Sequence, residues 1–294
     1  MAFRGRWWRS LIVGIVCAFC TMSGSAQVHF RLEPRSLIEK RLKSFRSDNR
    51  ERERLIRKLF AESGCAKANL IDQPLEQPVE PDLPPNIICV LPGETKETII
   101  VGAHTDKVSG ASDGVVDNWT GASLLPSLLF SLNADRRHHT FVFIGFTAEE
   151  RGMVGSEYYV EHLTTEQRAR VEAMINMDSL GLASTKIWAS HADKLLLEAL
   201  SSVAQTSKLP LSTSNVDKLG TTDSESFANY HIPRLTLHSV TEETMPILHS
   251  SNDTLAAVKM NDYYDSYHLI AEYLAYLDDV LKPETAAKPL KAAK

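Results

Sequence analysis

Two stretches decide the fold: TIIVGAHTD at residues 98–106 and TFVFIGFTAEE at residues 140–150. Each begins as an apolar, β-branched or aromatic run of the kind that forms a buried strand. Each then ends on polar side chains, His104 and Asp106 in the first, Glu149 and Glu150 in the second. Further along, AMINM (173–177) runs into Asp178, and LTLHS (235–239) leads to a loop holding His249, Asp253 and Thr254. In all four cases acids or histidines fall just beyond the carboxyl end of an expected strand, where open α/β sheets place their ligand sites.

Helical patterns lie between these strands. Residues 120–132 predict a helix with Pro126 in its first turns or at a bend. Further helices are expected over 155–171, 192–206 and 261–281, the last amphipathic and rich in Tyr and Leu, with a further strand at 186–189. Upstream, Leu37, Ile38, Leu42 and Phe45, then Leu55, Ile56, Leu59 and Phe60, recur at helical spacing and predict one or two amphipathic helices ending near Gly64. Five prolines between 72 and 86 mark an extended loop. The apolar runs 87–91 and 98–103 flank PGETKE and read as a hairpin-like pair. This alternation predicts a three-layer α/β/α sandwich around a mostly parallel mixed sheet. It is expected as a single domain over 27–282, opening with a helical segment and Pro-rich loop (27–86). Residues 283–294 have no apolar periodicity and are expected to be a disordered tail.

Of the 294 residues, 43% are hydrophobic and 23% charged, proportions that exclude disordered, collagen-like and disulfide-scaffold classes. Residues 1–26 hold three basic residues (Arg4, Arg6, Arg9) and no acid, so the rest keeps 29 of the 32 basic residues and all 37 acidic ones, a net charge of −8. An acidic body without a long basic run excludes a nucleic-acid partner. The first 26 residues have a basic start, the apolar run LIVGIVCAFC and small residues around Ala26. That is the layout of a secretory signal peptide cleaved after Ala26, and the mature chain is expected to be secreted or periplasmic with no membrane span. Two of the four cysteines go with the signal, leaving Cys65 and Cys89. In an oxidising compartment they could pair, tying a helix to the strand after the Pro-rich loop, or remain two buried thiols.

Asp117 sits in DGVVDNWTG (113–121), just before a helix, where an isolated Asp would be an N-cap. Beside His104, Glu150, Asp178 and His249 it completes a set of two imidazoles and three carboxylates. Such a set suits Zn²⁺, and a carboxylate can bridge two ions. Asp106 stands where it could orient the His104 imidazole. Of the neighbours Glu149 and Glu150, one can ligate metal while the other faces the attacking water as a general base.

In this order and spacing, GAHTD (102–106), DGVVDNWTG (113–121), FTAEERGMVGS (146–156), NMDSLG (176–181), TDSESFANYHIP (222–233) and HSSNDT (249–254) resemble the M28 family of zinc metallopeptidases, aminopeptidase type. The resemblance spans roughly residues 85–281. It implies two Zn²⁺ per chain, one held by His104, Asp117 and Asp178, the other by Asp117, Glu150 and His249. Asp117 would bridge them, Glu149 would be the general base, and Asp106 would support His104. It further implies a cis peptide between Asp117 and Asn118, and an exopeptidase acting on peptides with a free N-terminus. Two positions depart from the family: Trp119, usually small, either narrows the site or packs beneath it, and Leu248 stands where some members carry Tyr. A single-zinc glutaminyl cyclase would use the Asp117, Glu150 and His249 half, but the intact His104-x-Asp106 weighs against it. A non-catalytic binding ectodomain would lack ligands or the base, and none is missing here.

The other histidines have plainer readings. His138 and His139 fall in a basic loop and read as exposed; His162, His191 and His268 read as surface residues. His238 and His231 are expected near the site, and Asp223 as a pocket residue or a loop cap. Tyr263, Tyr264, Tyr267, Tyr273 and Tyr276 have the spacing of a packed helix face.

Overall fold

The computed structural model describes residues 29–76, 83–216 and 220–281. The expected signal peptide (1–26), the expected tail (283–294) and part of the Pro-rich stretch lie outside the described residues. The strands are β1 (Leu70–Gln73), β2 (Asn86–Leu91), β3 (Thr98–His104), β4 (Thr140–Phe146), β5 (Val171–Met177), β6 (Thr185–Ile187), β7 (Leu211–Thr213) and β8 (Arg234–His238). They form one sheet in the order β1-β2-β4-β3-β5-β8-β6-β7. Its centre, β4, β3, β5 and β8, is parallel. Antiparallel pairings flank that centre, β2 on β4 at one side and β6 on β8 at the other.

The helices are α1 (Arg35–Leu42), α2 (Asn49–Glu62), α3 (Thr120–Leu132), α4 (Val154–Glu161), α5 (Thr165–Ala169), α6 (Lys194–Ser207), α7 (Glu225–Ala228) and α8 (Met260–Val280). Side chains alternate across each strand. In β3, Ile99, Val101 and Ala103 join the core beneath α1, α2, α3, α6 and α8. Ile100 faces the other way and packs with Met174, Tyr159 and Phe227 beneath α4 and α7. Both faces are covered, which is why the central strands read as unbroken apolar runs. The molecule is a three-layer α/β/α sandwich. Tyr263, Tyr267 and Tyr273 are fully buried packing residues of α8. Cys65, just past α2, is disulfide-bonded to Cys89 in β2.

Four expectations need correction. β2 and β3 do not form a hairpin, because β4 lies between them. The connecting loop is tied instead to the segment ahead of β4: the backbone N–H of Glu94 donates to Arg137 O (2.8 Å) and that of Thr95 to His138 O (2.9 Å). The helix expected over 155–171 is two helices, since Thr164 and Gln167 cap α5 reciprocally and Val171 already belongs to β5. The short strands β1 and β7, at the two sheet edges, were not expected at all. Finally, His139 is not exposed but fully buried.

The reason for that burial is a pair of acids. His139 Nδ1 lies 3.1 Å from Asp278 Oδ1 and Nε2 lies 2.9 Å from Glu172 Oε2. Asp278 also accepts the backbone N–H groups of His138 and His139. The clamp joins the start of β4 to β5 and α8. Burial by itself would lower the His139 pKa, but Asp278 and Glu172 outweigh it and raise the value above 6.5. A raised imidazole contributes stability in full below its unfolded pKa and loses it as pH rises through the folded one. We therefore expect His139→Asn to cost about 3 kcal/mol at pH 6, with the gap to wild type narrowing towards pH 9. Denaturant midpoints at the two pH values check this, and an equal gap would show the clamp to be uncharged.

Candidate metal centre

β3, β4, β5 and β8 all end at the same edge of the sheet, and the polar residues beyond them converge there. His104 closes β3 and is buried. Its Nε2 lies 3.1 Å from Asp117 Oδ1 and 3.8 Å from Asp178 Oδ1, with Glu149 Oε2 at 4.0 Å. Its Nδ1 faces Asp106, 3.2 Å from the carbonyl oxygen and 3.5 Å from Oδ1. The Asp106 carboxylate also accepts the backbone N–H groups of Glu149 (3.1 Å) and Glu150 (3.2 Å), so it holds the turn from which both glutamates arise. Across the site, His249 Nε2 lies 2.9 Å from Asp117 Oδ2 and 3.0 Å from Glu150 Oε2. Asp178 accepts hydrogen bonds from Thr222 Oγ1 (2.9 Å) and Ser179 Oγ (3.0 Å).

Two groups of donors result, His104–Asp117–Asp178 and Asp117–Glu150–His249, the ligand atoms of each lying within 4.8 Å of one another. The two oxygens of Asp117 serve different groups. Glu150 Oε1 is buried without a hydrogen-bond partner among the described residues. A mixed nitrogen–oxygen set with a buried, unspent carboxylate oxygen fits a divalent cation such as Zn²⁺.

The electrostatics express the same shortage of positive charge. Burial opposes protonation of His104, yet Glu149, Asp106, Asp117 and Asp178 raise its pKa well above 6.5. Asp117 and Glu150 push His249 up to about 10. Burial works against the Asp117 carboxylate, but the two histidines hold its pKa far below the usual range. For Glu149 the compensation falls short: burial, with Asp223, Asp178 and Asp117 adding to it, outweighs His104 and pushes its carboxyl up to about 10.

The local backbone is unusual where it presents these side chains. Ala148, Ser179 and His249 adopt left-handed φ of 55°, 55° and 57°. Each such residue costs on the order of 1 kcal/mol or more, and they flank Glu149, follow Asp178 and include a candidate ligand. The Asp117–Asn118 peptide is cis. Asn118 Oδ1 then accepts the N–H groups of Gly121 (3.0 Å) and Ser179 (3.2 Å), while its Nδ2 donates to Met177 O (2.9 Å). A Cβ at Gly121 would come within 2.6 Å of Asn118 Oδ1, so this clasp requires glycine there.

A cleft of about 620 Å³ opens over the centre, with apolar walls of Trp188, Val216, Val240 and Leu248. His238 lines it too. Its Nε2–H donates to Ser214 O (2.9 Å), its Nδ1 accepts from Val240 N–H (3.2 Å), and burial pulls its pKa down to about 4. It is therefore a neutral wall residue that fixes two loops. His231 is exposed and does not line the cleft. Asp223 is fully buried behind the cleft, where burial raises its carboxyl to about 7. Trp119 packs beneath the site in the helical core, its indole N–H donating to Arg41 O (3.1 Å). Leu248 lines the cleft and brings no hydroxyl. The walls formed by Val216 and Val240 and the support from Thr222 were not anticipated. Trp188 had one available signal, its place in an expected strand, and Thr222 had another, its place at the head of the TDSESFANYHIP motif, whereas Val216 and Val240 sit in loops with no local pattern.

A model of peptidase family M28 matches residues 86–274. The chain belongs to peptidase family M28. It is 28% identical over 207 residues to aminopeptidase YwaD of Bacillus subtilis, covering 67% of this chain and 45% of that protein. To leucine aminopeptidase 1 of Ajellomyces capsulatus it is 30% identical over 122 residues, covering 37% and 31%. The chain thus spans less than half the length of either relative. In fold it is similar to the LapA aminopeptidase of Legionella pneumophila (TM-score 0.68, 18% identity, 85% of this chain and 76% of that one). It is also similar to a glutaminyl cyclase from an Acidobacteriales bacterium (TM-score 0.69, 14% identity, 83% and 93%).

Because Asp117 faces both donor groups, Asp117→Asn should weaken zinc binding at both positions by at least about tenfold. Asp178→Asn should weaken only one. Zinc titration against a competing chelator reads the difference, and two tightly held ions in Asp117→Asn would show that its carboxylate is not shared.

Proposed function

We propose that the chain is a two-zinc aminopeptidase that removes N-terminal residues from peptides. The observation that carries this reading is the division of Asp117 between two complete donor groups, with Glu149 beside them. His104, Asp117 and Asp178 would hold one zinc, and Asp117, Glu150 and His249 the other. Zinc bound there would supply Lewis acidity, acidifying a water and polarising the scissile carbonyl. Glu149 would take a proton from the attacking water and return it to the departing amine as the C–N bond breaks. The carboxylates around the cleft offer partners for the substrate's free ammonium group. The apolar walls favour an uncharged, apolar first residue.

The glutaminyl cyclase reading needs only Asp117, Glu150 and His249. It leaves unused a second donor group, in which His104 lies 3.1 Å from Asp117 and 3.8 Å from Asp178. We further propose that the protein is exported. The basic and apolar composition of residues 1–26 supports this, as does the Cys65–Cys89 disulfide, a bond that persists in oxidising compartments.

Metal analysis of the purified protein, beside release of amino acids from amino-acyl anilides, tests the reading. Two zinc per chain and chelator-sensitive release are expected. One zinc, with ammonia released from N-terminal Gln peptides and no anilide cleavage, would favour the cyclase. Glu149→Gln should keep its zinc while turnover falls by about 10²- to 10⁴-fold, and near-normal turnover would remove Glu149 as the base.

A further inference from the structure

We propose that Arg52, on α2 and outside the residues matched by the family model, is a positioning residue of the metal centre that clasps together the loops presenting His104 and Asp117. The inference rests on the two-zinc reading above.

Arg52 is fully buried. Its Nε donates to Thr105 O (2.5 Å), between His104 and Asp106 in sequence. Its Nη2 donates to Gly114 O (3.0 Å), and Nη1 reaches Asp113 O and Arg46 O at 3.4 Å each. Gly114 lies three residues before Asp117. One planar guanidinium therefore joins the loop leaving β3 to the loop entering the Asp117 turn, a geometry for which its fixed fork of donors is suited. The second loop is moulded to it: Gly114 has φ +62°, and a Cβ there would lie 3.2 Å from Arg52 Nη1 and 2.5 Å from Lys107 Cβ. The far side of the guanidinium lies over the Trp119 ring at 5.2 Å.

The partners are what make this arrangement specific to the centre. A buried guanidinium normally needs a carboxylate against it. Among the described residues none hydrogen-bonds to Arg52; Asp106, Asp253, Asp117 and Glu150 attract it from farther away. Apart from a contact with Arg46 O, its donors are spent on the carbonyls of the ligand-bearing loops, while its charge faces the acidic centre. Burial lowers its pKa only to about 10, so that charge persists at neutral pH. Metal donors must be held to about 0.5 Å for productive binding, and among the described residues no other side chain bonds to both Thr105 O and Gly114 O.

The test is zinc affinity of the full chain, measured against a chromophoric chelator, for wild type, Arg52→Lys, Arg52→Gln and His139→Asn. Arg52→Lys keeps the charge and loses the fork, so a loss there is one of position. Both Arg52 variants should bind zinc about 10- to 100-fold more weakly. His139→Asn, destabilised away from the centre, should keep wild-type affinity. Near-UV circular dichroism reports folding, and if Arg52→Gln does not fold, Arg52→Lys decides the matter. Wild-type affinity in Arg52→Lys would overturn the proposal, as would an equal loss in His139→Asn. Failure of the wild-type chain to take up zinc would instead overturn the reading of the centre, and the Arg52 proposal with it.

Discussion

Asp117 is buried with one carboxylate oxygen towards His104 and the other towards His249, and around it stand Asp106, Glu149, Glu150, Asp178 and Asp223. Crowded carboxylates in a low-dielectric interior repel one another and resist ionisation. They remain together only where something positive or hydrogen-bond-donating is held against them. The molecule answers with two imidazoles, the N–H groups that Glu149 and Glu150 point at Asp106, the hydroxyls on Asp178 and the guanidinium of Arg52. Most of the local architecture around the sheet's carboxyl edge can be traced to that one electrostatic demand.

Meeting it requires a rigid support. Four parallel strands end at one edge, so side chains far apart in sequence are delivered to within a few ångströms of each other. The covering layers keep those ends from moving: Asn118 pins the start of α3 to the end of β5, and Trp119 anchors the same turn into the helical core. Left-handed residues at Ala148, Ser179 and His249 would relax in a loose loop. Ala148 and Ser179 adopt this conformation two residues past the buried ends of β4 and β5, and His249 in the loop between β8 and α8. The apolar cleft walls come from separate loops, and His238 is neutral because burial lowers its pKa, while its two ring nitrogens tie together the loops it joins.

How much of this was legible in the sequence depended on whether the signal was local. β3 and β4 announced themselves by burial on both faces, and α2 and α8 by helical spacing. His104, Asp117, Glu150, Asp178 and His249 could be singled out because each follows a strand or opens a helix within a recognisable motif. The hairpin expected for residues 87–103 failed because the apolar runs say nothing about which strand is their neighbour. β4 pairs with both runs instead, and the β2–β3 connection is tied to the segment before β4 by the backbone N–H groups of Glu94 and Thr95. His139 was misplaced for a similar reason: a histidine in a basic stretch looks solvated until Glu172 and Asp278, distant in sequence, are brought to its two nitrogens.

The chain's own letters determined the alternation of strands and helices, the three-layer architecture and the family, since periodicity and motif order are properties of neighbouring residues. Tertiary structure alone decided the strand order, the pairing of Cys65 with Cys89, the burial of Trp119 beneath the site and the walls of the cleft. It also decided the role of Arg52, which in sequence is one charge among many in a helix of alternating Arg and Glu. A guanidinium's meaning lies in which carbonyls surround it, and those of Thr105 and Gly114 reach it only when the sheet and α2 have packed together.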